Sequence, residues 1–239
     1  MTGQVSRRAF LQSAGLLATA AGLARIALEP APSGAPHALP RAGGLRLASA
    51  LPLPLPHVFA RHLADLTDDR LDRFDLILAP AYAAAALIAC GRLARLAGPR
   101  GRAHDPDGAY TVPFAYRVGM PVSAASVPSD PRVALGAALM RRGYSPNDPH
   151  PGRVAQALAD LADPRVGAAA GQLALLDPAQ AAQLAQPGAS MMLIEYDWVI
   201  PAGSARAAEA AGFVAGMTAA LPPALTGVRL FPVMPLNAV

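Results

Sequence analysis

The chain of 239 residues has a single cysteine, Cys90, and no lysine. One cysteine excludes an intrachain disulfide framework and any site built on a cysteine pair. Its Ala/Leu-rich surroundings read as a helix in which Cys90 is a small buried hydrophobe, and it lies too far from the amino end to be a lipid-attachment site. With lysine absent, all twenty basic residues are arginine. In an alanine-rich chain that is a coding bias, so an individual arginine carries little weight by itself. Enzyme signatures are missing as well. There is no Gly-x-Ser-x-Gly and no glycine-rich phosphate loop. His57 and His62 are five apart and share no helical face, which excludes the usual zinc pair. Asp105-x-Asp107-Gly108 lacks the later bidentate glutamate of a calcium loop. Ser123, Ser126 and Ser129 have no neighbouring histidine. No catalysis, cofactor or metal is therefore expected. The formal net charge is +4. Without residues 1–36 it falls to +2, from 17 basic and 15 acidic side chains, so the basic balance does not point to nucleic acid.

What is present begins at the amino end. Ser6-Arg7-Arg8-Ala9-Phe10-Leu11-Gln12 leads into an apolar, charge-free run from Leu11 to Ala24. That run is shorter than the ~20 residues needed to cross a bilayer. Small residues follow, as in Ala18-Thr19-Ala20 and Ala20-Ala21-Gly22, and suit cleavage. The segment resembles a twin-arginine (Tat) signal, with Arg7, Arg8, Phe10 and Leu11 as the recognised elements and Gln12 in place of the usual lysine. The resemblance implies export by the Tat machinery to the periplasm. Residues 29–44, rich in Pro, Gly, Ser and Ala, read as a linker.

Beyond the linker, short apolar runs alternate with helical patterns. Strands are expected at 45–48, 74–79, 110–118 and 191–200, and helices at 57–66, 83–96, 131–142, 152–161, 178–186 and 204–221. Gly98-Pro99 is the expected stop of the second helix and Gly143 of the third. Such alternation predicts an α/β architecture, and about 200 residues suffice for one or two small lobes.

Four local patterns, in order, carry a resemblance to the extracellular solute-binding proteins of the spermidine/putrescine ABC-transporter family. They are Asp75 to Pro80 with Ala81-Tyr82 and the helix ending Gly91-Arg92-Leu93; His104-Asp105-Pro106 with Tyr110 to Phe114; Val133 through Arg142-Gly143-Tyr144-Ser145-Pro146-Asn147; and Gly188-Ala189 through Trp198-Val199-Ile200-Pro201 with Ala207 to Phe213. The resemblance implies a reduced, two-lobed fold of the type II periplasmic-binding-protein kind. Residues 37–117 would begin lobe 1, 118–195 would form lobe 2, and 196–239 would return to lobe 1, after a signal and linker start at 1–36. It also implies a small organic solute held between the lobes and an ABC permease as partner.

The chain departs from the family in length and in chemistry. A polyamine receptor needs carboxylates for the amines and aromatic faces for the methylenes. The family's Trp and Asp on the returning strand fall at Ile194 and Tyr196 here, and its turn serine at Ala81. Polyamines should therefore bind weakly. Tyr82, Tyr116 and Tyr196 match cleft positions and could stack on a solute, or simply pack. Glu195 and Asp197, charged in an apolar strand, need partners. Alternation along the strand points them away from Tyr196. They are either ligand-binding residues or members of a structural ion pair with Arg117, Arg73 or Arg92. The alternative to a receptor is an exported accessory protein that has lost ligand capture.

Overall fold

The structure, a computed structural model, describes residues 44–51, 58–60 (backbone only), 71–96, 102–120, 127–128, 130–163, 165–167, 171–184, 186, 188–215 and 228–236. The chain divides into two units, 1–39 and 40–239, and every described residue belongs to the second. The signal residues Arg7, Arg8, Phe10 and Leu11 lie outside the described residues. Among the described residues no helix is long and apolar enough to cross a membrane.

Two long strands organise the unit. Strand β4 (Val112–Met120) and strand β6 (Ser190–Val199) run antiparallel side by side, and the remaining strands gather at their two ends. At one end, β3 (Leu76–Pro80) pairs antiparallel with residues 196–199 of β6, followed outward by β1 (Leu47–Ser49) and β2 (Val58–Ala60) in parallel. At the other end, β7 (Arg229–Pro232) lies parallel to residues 190–193 of β6, and β5 (Ala174–Leu176) pairs with the end of β4. The result is one mixed, seven-stranded sheet. With helices α1 (Ala81–Ala89), α2 (Pro131–Arg141), α3 (Pro151–Ala162), α4 (Pro178–Leu184) and α5 (Ala207–Ala215), the fold class is α/β, as expected.

The odd positions of β6 show how the core is distributed. Met191 and Leu193 join Tyr116, Val118, Met120 and Ala181 of α4 in one apolar cluster. Val199 joins Ile77, Ala79, Leu71 and Ala84 of α1 in another. Glu195 and Asp197 stand between the two. On the even face, α2 lies so close to β6 that a Cβ on Gly136 would stand 2.7 Å from Met192 Sδ. Trp198, fully buried, meets Phe114 at 5.2 Å and Phe213 of α5 at 6.4 Å between ring centroids. Just before β3 Asp75 is buried and accepts from the Arg46 amide and guanidinium at 2.9–3.0 Å and from Ser204 at 3.1 Å. The Arg46 hydrogen bonds outweigh burial and hold the Asp75 carboxyl down at about 2.

Several local expectations are corrected. Residues 58–60, expected within a helix over 57–66, form β2, because strand pairing with β1 supplies what local helix propensity does not. Helix α1 begins at Ala81 and ends well before residue 96. Gly91, at φ 64°, donates to Ile88 O and turns the chain, a conformation open to glycine without strain. Cys90 sits at that terminus and is exposed rather than buried. Gly143, at φ 80°, does stop α2. The short strands β5 and β7 had no periodic signal of their own.

Candidate functional site

The site is built on a break in strand regularity. Pro113 lacks the N–H a regular ladder requires, and β4 bulges there, so that Pro113 pairs with Asp197 and Ala115 with Tyr196, leaving Phe114 extra. An extra residue reverses the alternation of the strand. Val112 lies opposite Trp198, but four residues later Tyr116 lies opposite Glu195. The bulge thus moves the Tyr116 side chain onto the face that carries the two carboxylates.

A folded-back loop covers that face. Arg102 and Asp105 exchange backbone hydrogen bonds of 2.7 and 3.1 Å, and the buried Asp105 carboxylate accepts from Ala109 N, Tyr110 N, Thr111 N and Thr111 Oγ1 at 2.9–3.1 Å. Asp105 is therefore a loop organiser that ties the 102–105 turn to the start of β4. The turn aims Arg102 and His104 at β6. Arg102 Nη1 donates to Asp197 Oδ1, its Nη2 donates to Tyr116 Oη at 2.9 Å, and Nη2 lies 3.3 Å from Glu195 Oε2. His104 Nε2 lies 2.6 Å from Asp197 Oδ2, which assigns the ring proton to Nε2, while Nδ1 is 3.7 Å from Glu195 Oε2.

Exposure separates the two carboxylates. The side chain of Asp197 is wholly buried with both oxygens engaged, whereas that of Glu195 is 20% exposed. Burial pulls the Arg102 guanidinium toward neutrality, but the Asp197 and Glu195 charges outweigh it and its pKa rises. Burial also raises Tyr116, against the lowering effect of Arg102, so the phenol stays protonated.

A cavity of about 310 Å³ opens over this cluster. Arg102, His104, Tyr116 and Glu195 supply its polar wall. Its apolar wall is the chain leaving β7, Pro232 to Met234. That wall is clamped from behind: Asn147 donates to Pro232 O at 2.6 Å and accepts from Met234 N at 2.9 Å, and Arg132 donates to Met234 O at 2.7 and 2.9 Å. Burial brings Arg132 down to about 10.

Of the residues singled out from the sequence, Tyr116, Glu195 and Asp197 come together. Tyr82 and Tyr196 do not join them. They lie on the opposite side of β6, where the Tyr82 hydroxyl donates to Asp130, the residue that caps α2 through Arg132 N and Val133 N. Burial, then the nearby Asp130 charge, raises both phenols well above their ordinary range. The carboxylates have Arg102 as partner, not Arg117, Arg73 or Arg92. Arg102 and His104 precede the two carboxylates by more than ninety residues, and no local pattern joins them. His104, Glu195 and Asp197 can each offer one metal-ligating atom within 4.8 Å of the others. The guanidinium already in contact with both carboxylates stands against a metal ion in that position.

No protein-family model and no curated protein matches the chain. Solved structures do align with it. A putative spermidine/putrescine ABC transporter from Listeria monocytogenes is 14% identical, over 66% of this chain and 78% of that one, at a TM-score of 0.47. The Tp0655 (TpPotD) lipoprotein of Treponema pallidum is 16% identical, over 59% and 64%, at 0.39. The spermidine/putrescine substrate-binding protein PotD of Streptococcus pneumoniae is 15% identical, over 60% and 63%, at 0.36. The likeness is remote in sequence and partial in shape, and the aligned part of this chain spans less than two-thirds of the last two proteins.

Proposed function

We propose that the chain is a solute-binding protein of an ABC importer, exported by the twin-arginine route to the periplasm, which closes two small lobes on one small organic solute and performs no chemistry on it. The observation that carries the reading is the cavity over the two crossing strands. It lies on the face where two apolar clusters are interrupted by the polar group Arg102, His104, Tyr116 and Glu195. A mostly apolar hollow with a few convergent polar groups is what a small-molecule site requires. Tyr116 and Glu195 contact the solute, Asp197 holds Arg102 and His104 in place, and Tyr82 and Tyr196 serve as packing. Residues 37–117 with 196–239 form the first lobe and 118–195 the second. Spermidine and putrescine bind weakly, because Arg102 already neutralises one of the two carboxylates.

Thermal unfolding of the mature protein against a panel of amines, amino acids and short peptides tests the receptor role. A solute at 100-fold its Kd stabilises by about 2.7 kcal/mol. A panel without any response, repeated by calorimetry, overturns it. The same internal ion pairing supports a second reading, an exported accessory protein whose cleft is filled by its own side chains, and that result would bring it forward. Export is tested by Arg7→Lys with Arg8→Lys, which should leave the precursor in the cytoplasm; undiminished export removes the Tat assignment.

A further inference from the structure

Every group that the Arg102 guanidinium meets in the site is an acceptor or a negative charge: Asp197 Oδ1, Tyr116 Oη at 2.9 Å and Glu195 Oε2 at 3.3 Å. That is the environment a planar cation would find if it arrived from solution. Arg102 reaches it from a turn whose backbone is held independently, by the paired hydrogen bonds with Asp105 and by Asp105's own four acceptor contacts. The side chain lines the cavity and is 15% exposed, so the space it fills is accessible from the cavity.

We propose that Arg102 is a tethered occupant of the cleft, a built-in guanidinium that fills the cation position between Glu195 and Asp197 and thereby determines which solutes the cavity accepts. This inference rests on the receptor reading for its biological meaning, but its chemistry does not depend on a natural solute being found. With Arg102 in place, its single positive charge is set against the two carboxylates of Glu195 and Asp197. The ion contacts of Glu195 run through Oε2 alone, which leaves Oε1 without a protein partner among the described residues. One ammonium can be accommodated there, with its apolar body against Pro232, Val233 and Met234. A second positive charge would meet the guanidinium. The solute class is therefore an amine carrying a single positive charge, and diamines and polyamines are rejected by Arg102 itself.

Removing the tether should turn the position into a site for a diffusible cation. The test uses Arg102→Ala and Arg102→Gln in the full mature chain, the second retaining a hydrogen-bond donor if the first folds poorly. Methylguanidinium at millimolar concentration is the probe, with methylurea as the uncharged control of the same shape and potassium chloride matching ionic strength. Methylguanidinium should raise the unfolding midpoint of Arg102→Ala saturably and restore its cooperative transition if that is lost. It should shift the wild type far less, because the guanidinium position is already filled. By calorimetry, putrescine should bind both variants at least about tenfold more tightly than the wild type, the consequence of removing one like charge from the site. The proposal is overturned if wild type and variants respond alike to methylguanidinium, or if neither variant gains affinity for putrescine. A gain in the variants while the wild type binds nothing from the solute panel would retain this inference and remove the receptor role. A wild type that binds a solute, with variants that gain nothing, would do the reverse.

Discussion

The two faces of β6 solve the same problem in opposite ways. On the even face Ile194, Tyr196 and Trp198 are buried apolar bodies, sealed by Phe114, by Phe213 and by the Tyr82–Asp130 contact. On the odd face Asp197, equally buried, and Glu195, 20% exposed, are charged, and a loop brings an arginine and a histidine to them. Burial of aromatic area stabilises without directional requirements, whereas a buried carboxylate is tolerable only where its partners are in place. The apolar face therefore stabilises the paired strands β4 and β6, whereas the charged face depends on the loop that brings its partners. Trp198 shows that the division is not complete: its Nε1–H is buried without a hydrogen-bond partner among the described residues, which weakens the even face at that atom.

Substitutions across the two faces put numbers on this contrast. The largest effect should come from Trp198→Ala, which empties the aromatic cluster and should cost about 4 kcal/mol in urea unfolding. Trp198→Phe should cost far less, since it also removes the unpaired N–H; equal losses from the two would show that the indole nitrogen, not the area, matters. Next, Asp197→Ala leaves Arg102 and His104 buried beside an unfilled position and should cost about 3 kcal/mol. A loss below that of an ordinary surface substitution would mean that the ion group is not a requirement of the fold.

Asp75 provides a second buried carboxylate for comparison, paired with an arginine whose side chain is half-exposed. Its folded pKa, about 2, lies below that of an unfolded aspartate, so its contribution is fully present above about pH 4 and is lost as pH falls toward 2. After allowance for solvent around Arg46, that contribution is about 1 kcal/mol. Asp75→Asn should lower stability by about 1 kcal/mol near neutrality and flatten the stability–pH curve between about pH 4 and 2, where the wild type loses the same contribution. The smallest effect on stability should be that of Glu195→Gln, below about 0.5 kcal/mol, because the side chain is partly exposed and its nearest charge contact is 3.3 Å away. Its effect on solute binding in calorimetry should nevertheless be large, which would separate the binding role of the odd face from any structural one.

Much of the α/β pattern was legible in advance because it rests on local chemistry. The glycine after α2, the prolines opening α2 and α4, and the apolar run of β6 each act within a few residues of themselves. Alternation alone also placed Glu195 and Asp197 opposite Tyr196. Where local chemistry was ambiguous the reading failed. Residues 58–60 pair as a strand, and α1 stops at Gly91 although helix-forming composition continues beyond it.

The candidate site was legible only in part. That two carboxylates in an apolar strand need positive partners follows from the cost of burying charge, a requirement readable from residue types alone. Which arginine meets them, in a chain of twenty, depends on the Asp105-organised turn that folds 102–105 over residues 195–197. That Tyr116 joins them depends on one extra residue at Phe114, whose effect on side-chain direction exists only relative to the neighbouring strand. Local geometry sets which residues can form helices and strands, but contacts between residues ninety apart are decided by packing of the whole sheet, and the cleft of this protein is made of such contacts.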